Sequence, residues 1–415
     1  MGCRGAAMSV PEKPRLRSTV GVATDPADPG WVWLFDQSRM TRYLVRLPEA
    51  LVPVLQLFNG DYSLRDIQTL VMRLCGGTLI PLEFLEHLVN QLDVALLLDS
   101  PRYAACVAEL LSEPVRPSAC RGVYAEQPDA LRAQLDALFA APRGPGAPGP
   151  LELRADLVGL LIPHMDYQRG GIGYAWAYRE LLEACDAELF IVMGTSHYGT
   201  RRFILTRKHF ATPLGVVETD QDFVQELAEA YGDGLFQEEV AHWPEHSIEL
   251  QAVWLQHCLG NRRPFRIVPL LVGSFHDCIY NDCPPHERED IYLLIRAMRL
   301  AVEKSGKKVC FIASGDLAHI GPKFGDPTRL DQEQLDHSRQ RDLQFLQLLE
   351  KIQTQEVHQF VARERDQRRL CGYPALYVLL SVAQPTRGRL LYYDQYVAPD
   401  GSESVSYAAL AFYGQ

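Results

Sequence analysis

Four short, continuously apolar runs mark the later part of the chain: Leu157 to Pro163, Leu189 to Met193, Ile267 to Val272 and Val309 to Ala313. Helical patterns beginning near Gly173, Asp220, Glu245 and Glu287 lie among or after them. Strands that are apolar on both faces must be covered on both faces, and helices between them supply the cover. The pattern predicts an α/β fold, a mixed and mostly parallel sheet with helices on both sides. Near the carboxyl terminus RLLYYDQY and SVSYAALAFY have strand composition and read as an added antiparallel pair.

A different pattern occupies Trp31 to Tyr103. WVWLF and YLVRL read as a short hairpin, helices begin near Glu49, Ser63 and Pro81, and LLLD reads as a closing strand. Ser63 is a good N-cap and Pro81 suits a first helical turn. The expectation is a small winged-helix α+β domain over residues 31–103, after a flexible terminus over 1–30 and before a helical bridge. The Pro/Gly-rich run from Ala141 to Pro150 cannot sustain a helix or a central strand and is a surface loop.

Composition narrows the class. The 415 residues are 47% hydrophobic and 22% charged, enough apolar material for a large domain with a smaller companion. A formal net charge of -11, with no Lys/Arg-rich run, argues against nucleic-acid binding. No apolar stretch is long enough to span a bilayer, and MGCRGAAMSV has neither a signal-peptide core nor the Ser/Thr of a myristoylation signal. A cytoplasmic protein is expected, with no membrane partner. Ten cysteines are too sparse and irregular for a disulfide scaffold, and most read as reduced and buried. Cys278, Cys283 and His286 could hold zinc, but they lack paired knuckles, and a polar loop closed by Pro284 and Pro285 is the favoured reading.

In sheets of this type ligands bind outside the carboxyl ends of the strands. Three of the four runs end in histidine-bearing segments: Pro163-His164-Met165-Asp166, Gly194-Thr195-Ser196-His197 and Ser314-Gly315-Asp316-Leu317-Ala318-His319. A single histidine at a strand end is usually structural, but three converging on one rim favour a metal or acid-base pocket. Cys371 opens the helical stretch CGYPALYVLLSVA, where free N–H groups and the helix dipole favour a thiolate. Imidazoles with a thiolate suit zinc, copper or iron rather than magnesium or calcium. Glu245-His246, after Pro244, reads equally well as an acid-base pair on this rim or as a helix start. The glycines of RGGIGYAWAY lack nucleotide-fingerprint spacing.

Taken in order, RPSACRGVYAEQP, IPHMDYQRGG, GTSHYG, PEHSIELQ, IVPLLVG, ASGDLAHIG, RLCGYPAL and SYAALAFYG resemble the Memo family, specifically protein B of AmmeMemoRadiSam systems. The resemblance spans residues 114–415, so the Pro/Gly run becomes an internal loop. It implies a fold like that of class III extradiol dioxygenases and a metal pocket of His164, His197 and Cys371, with Asp316 and His319 beside it. The dioxygenases carry a carboxylate where this chain has Cys371, which counts against ring cleavage. PHMDYQRGG also departs from the PHAGY-like form of many relatives. The segment over 31–103, with NGDYSLRDIQ and LDVALLLDSPRY, resembles the PqqD-like elements that accompany radical-SAM peptide-modifying enzymes.

The function implied is a metal-dependent redox or oxygenase-type component holding iron or copper, with zinc as a third candidate. Asp316, His319 and His246 would orient ligands or move protons. Its implied partners are radical-SAM and AmmeMemoRadiSam protein A components, with a peptide or small molecule as substrate. The rival reading is a non-catalytic adaptor that binds a peptide or protein in the same pocket.

Overall fold

A computed structural model of the protein describes residues 11–74, 80–120, 122–152 and 156–414. The chain divides into two compact units, Met1–Glu113 and Pro114–Gln415. The reading of MGCRGAAMSV lies outside the described residues.

The smaller unit contains an antiparallel sheet in the order β1 (Val20–Thr24), β2 (Trp31–Asp36), β3 (Val45–Pro48). Strand β1 lies within the stretch expected to be flexible. Val32 and Leu34 of β2 face a core that includes Ile67, Leu85, Val89 and Leu92 from the helices Leu64–Leu74 and Leu82–Val94. Ser63 begins the first of these helices as expected, its hydroxyl accepting from Asp66 N at 3.2 Å while Asp66 accepts from Ser63 N at 2.9 Å. LLLD is not a strand: Leu98 makes only an isolated bridge to Leu16, and the helix Pro101–Ser112 follows.

The larger unit begins with β4 (Val115–Arg116). Its main sheet contains β5 (Leu157–Ile162), β6 (Leu189–Thr195) and β7 (Phe203–Leu205). A separate three-stranded sheet joins β4 to β8 (His209–Thr212) and β9 (Gly215–Val217). The main sheet continues with β10 (Arg266–Val272), β11 (Val309–Ser314), β12 (His319–Ile320), β13 (Arg387–Val397) and β14 (Ser404–Tyr413). Its order is β12-β14-β5-β11-β6-β10-β7, and β13 pairs along β14. Strands β5, β11, β6 and β10 are mutually parallel, while β7, β13 and β14 are antiparallel additions.

Alternation along each central strand divides the core. Leu189, Ile191 and Met193 of β6 join one cluster, and Phe190 and Val192 join the other. The first face is covered by helices Gln221–Tyr231, Glu289–Ser305 and Tyr373–Ala383 through residues such as Leu227, Met298 and Leu376. The second is covered by Pro128–Ala140, Tyr167–Ala184 and Glu249–Leu259 through Leu135, Tyr178 and Trp254. Each fully buried large apolar side chain contributes about 1.5–3 kcal/mol, so this two-sided burial fixes the strand ends firmly. The helix expected near Gly173 starts earlier, at Tyr167, because the Asp166 side chain accepts from Gln168 N and Arg169 N. The helix expected near Glu245 starts later, at Glu249, which leaves Glu245 and His246 on the turn before it. Among the described residues no helix is long and apolar enough to cross a membrane.

Candidate metal centre

Because β5, β11 and β6 are parallel neighbours, the segments that follow them emerge side by side at one edge. His164 leaves β5 and is buried. Its backbone N–H donates to Asp316 Oδ1 at 3.0 Å, and its Nδ1 lies 3.1 Å from the Ser314 carbonyl oxygen. A carbonyl can only accept, so Nδ1 carries the proton and Nε2 keeps its lone pair. Burial, with the neighbouring imidazoles of His197 and His246, holds the His164 pKa well below the usual histidine range, so the ring is neutral.

His197, just beyond β6, and His246 share one carboxylate. Glu245 accepts from His197 N at 2.8 Å, and its Oε1 lies 3.0 Å from His197 Nδ1 and 3.2 Å from His246 Nδ1. The same Oε1 accepts from the His246 and Ser247 backbone N–H groups at 2.9 and 3.1 Å. Burial would raise the Glu245 pKa, but the two imidazoles outweigh it and hold the carboxyl well below its ordinary range. An ionised Glu245 therefore orients both rings through Nδ1.

The three rings form a tight set, with centroids 5.0 Å apart for His164–His197, 5.1 Å for His164–His246 and 4.7 Å for His197–His246. One ligand atom from each lies within 4.8 Å of the other two, and among the described residues no other His, Cys, Asp or Glu group is gathered so closely. Cys371 stands next to this set, its Sγ 3.4 Å from His164 Nε2, but outside it. The sulfur accepts from Asp316 N at 3.3 Å. Burial pushes the Cys371 thiol well up, reversing the thiolate preference expected from its place at a helix start.

Asp316 Oδ2 lies 3.7 Å from His164 Nε2, and burial raises this carboxyl above its ordinary pKa. His319 turns its Nδ1 toward the carbonyls of Leu317 and Arg369, each at 3.1 Å, and burial lowers its pKa. Beneath the rings, Ser247 Oγ donates to Thr195 O at 2.9 Å, Ser314 Oγ to Ser247 O at 2.6 Å, and Gln251 Nε2 to Ser314 Oγ at 2.8 Å. Gly194 permits this approach, since a Cβ there would come within 2.4 Å of Ser247 Oγ.

The structure thus brings together His164, His197 and His246, with Cys371 and Asp316 touching His164. Glu245 was visible in the sequence as half of a possible acid-base pair with His246 or as part of a helix start. That it serves two histidines depends on β6 ending opposite the turn, which no local pattern encodes. Cys278, Cys283 and His286 do not gather: Cys278 Sγ lies 4.0 Å from Arg202 Nη1, and His286 Nδ1 pairs with the Tyr377 hydroxyl at 3.1 Å.

Comparison with known proteins adds an independent line. A family model described as Memo-like protein matches residues 116–411. A MEMO1 family protein of Aquifex aeolicus is 25% identical over 387 residues, covering 91% of this chain and 95% of that protein, so the similarity reaches into the smaller unit. One from Methanobrevibacter smithii is 33% identical over 165 residues, 39% of this chain and 53% of the relative. One from Methanosarcina barkeri is 26% identical over 303 residues, 71% of this chain and 98% of its own length.

Proposed function

Since the chain belongs to the Memo family, we propose that it is a metal-binding redox or oxygenase-type component whose ion is held by His164, His197 and His246, with Cys371 as the adjoining sulfur ligand. The observation that carries this reading is the gathering of three imidazole ligand atoms within 4.8 Å of one another. Their Nδ1 atoms face Ser314 O and Glu245, so the Nε2 side of each ring is the side that would meet a cation. The donor set fits the group: imidazole nitrogens with a neighbouring thiol favour iron, copper or zinc over magnesium or calcium.

A bound iron or copper ion would supply one-electron and Lewis-acid chemistry. The chain's own groups do the rest. His164, His197 and His246 would hold the ion, Glu245 orients two of the rings, and Asp316, 3.7 Å from His164 Nε2, with His319 would hold or move a proton. Burial raises the pKa of Asp316 and lowers that of His319, so it favours the neutral form of each.

Metal analysis of anaerobically purified protein tests the reading. Wild type is expected to retain iron or copper and the His164→Ala, His197→Ala double variant to lose it; equal metal content in the two would refute it. From the resemblance of its motifs alone, the partner proposed is a radical-SAM enzyme. Co-purification with such an enzyme in the wild type, lost on removal of residues 31–103, is the expected outcome.

A further inference from the structure

We infer that Arg116, far from the rings in sequence, is a positioning residue of the metal centre: its guanidinium pins the turn that presents Glu245 and His246. The inference rests on reading the histidine cluster as a metal centre. Arg116 lies in β4, which pairs in parallel with β8, and it is fully buried with its guanidinium 5.1 Å from the Phe210 ring. Its Nε donates to His242 O at 2.6 Å, its Nη2 to Glu245 O at 2.6 Å, and its Nη1 to Glu249 Oε2 at 2.5 Å.

These three acceptors span the turn from His242 to Glu249. Regular helical bonding resumes only with Leu250 N, which donates to His246 O at 3.0 Å. Before that point the Glu245 carbonyl is fixed by Arg116. The carboxylate of the same residue orients His197 and His246. One planar fork therefore sets the backbone from which the shared carboxylate reaches two rings, a task that a point charge on a flexible stem cannot reproduce.

Glu249 completes the clamp. It balances the buried charge and accepts from Ala119 N at 2.9 Å, Cys120 N at 3.0 Å and Tyr124 Oη at 2.5 Å. The segment around RPSAC is thereby tied to the turn from below, although the Pro/Gly run separates it from the first strand of the sheet.

The test uses cobalt(II) as probe on the full-length, metal-stripped protein. Arg116→Lys keeps the charge that Glu249 needs but loses the fork, and it is expected to bind cobalt about tenfold more weakly, the lower end of what loss of an outer-shell partner causes. Its visible ligand-field spectrum should change as well. Tyr413→Phe removes the hydrogen bond from the Tyr413 hydroxyl to Glu180 Oε1 (2.5 Å), beside Leu157 at the start of β5 and so at the opposite end of that strand from His164; it should lower the melting temperature yet leave cobalt affinity and spectrum as in wild type. If Arg116→Lys does not fold, the Arg116→Met, Glu249→Met double variant, which removes both buried charges, decides in its place with the same expected loss. Wild-type affinity and spectrum in the deciding Arg116 variant would overturn the inference, as would affinity falling in Tyr413→Phe in step with its stability. A wild-type protein that binds no cobalt would instead refute the metal reading itself.

Discussion

Gly315 and Gly372 meet backbone to backbone: a Cβ on Gly315 would come within 2.2 Å of the Gly372 Cα. This contact joins the segment after β11 to the start of the helix Tyr373–Ala383. It places Cys371 against Asp316, with Gly372 N donating to Asp316 O at 2.9 Å and Asp316 N donating to Cys371 Sγ at 3.3 Å. Neither chain segment can move without moving the sulfur.

Gly315→Ala is therefore expected to destabilise the protein by about 1–3 kcal/mol, as overpacking of a rigid contact does, and to displace Cys371 from His164. Chemical denaturation checks the first effect. Loss of the sulfur-to-metal charge-transfer absorption in the cobalt-loaded variant checks the second.

Cys371→Ser should abolish that same absorption while the three imidazoles still retain the ion, with lower affinity. The electronic spectrum of the cobalt-loaded variant decides: an unchanged near-ultraviolet band would mean that the sulfur is not a ligand.

Glu245→Gln removes the charge that two rings share while keeping the residue's size. Metal affinity should fall by about 10–100-fold, the range seen when an outer-shell carboxylate is lost. Isothermal titration of the apo protein measures it.

Acid sensitivity should come partly from His242, which is buried with its Nε2 2.9 Å from the Ile204 carbonyl oxygen and its pKa lowered by burial to about 3. The unfolded chain takes up a proton below the ordinary histidine value of 6.5 while the folded protein does not until about 3. Between those limits the unfolded state binds more protons, so stability falls as pH falls, by about 1.4 kcal/mol per pH unit for this one group. Metal-free protein should show this slope in denaturation measured at successive pH values, and His242→Gln should reduce it by the equivalent of one proton.

Much of this arrangement was legible in the sequence. Fully apolar strands with helices between them define a sheet covered on both faces, and their ends brought out His164, His197, Asp316 and His319. The short strands β7, β8, β9 and β12 escaped notice because two to four residues carry no periodicity. His246 was read on the same rim as a possible acid-base group but not counted among the ligands, since it sits on a turn rather than at a strand end. The role of Arg116 was invisible for a stronger reason: two of its three acceptors on the turn are backbone carbonyls, which have no sequence signature, more than a hundred residues away.

The central claim is that one ion sits among three imidazoles. Anomalous diffraction from crystals of the iron- or copper-loaded protein tests it most directly. A single strong peak about 2.0–2.1 Å from the Nε2 atoms of His164, His197 and His246, the distance usual between imidazole nitrogen and zinc, is the result expected. Loaded crystals with no anomalous peak between those rings would contradict it.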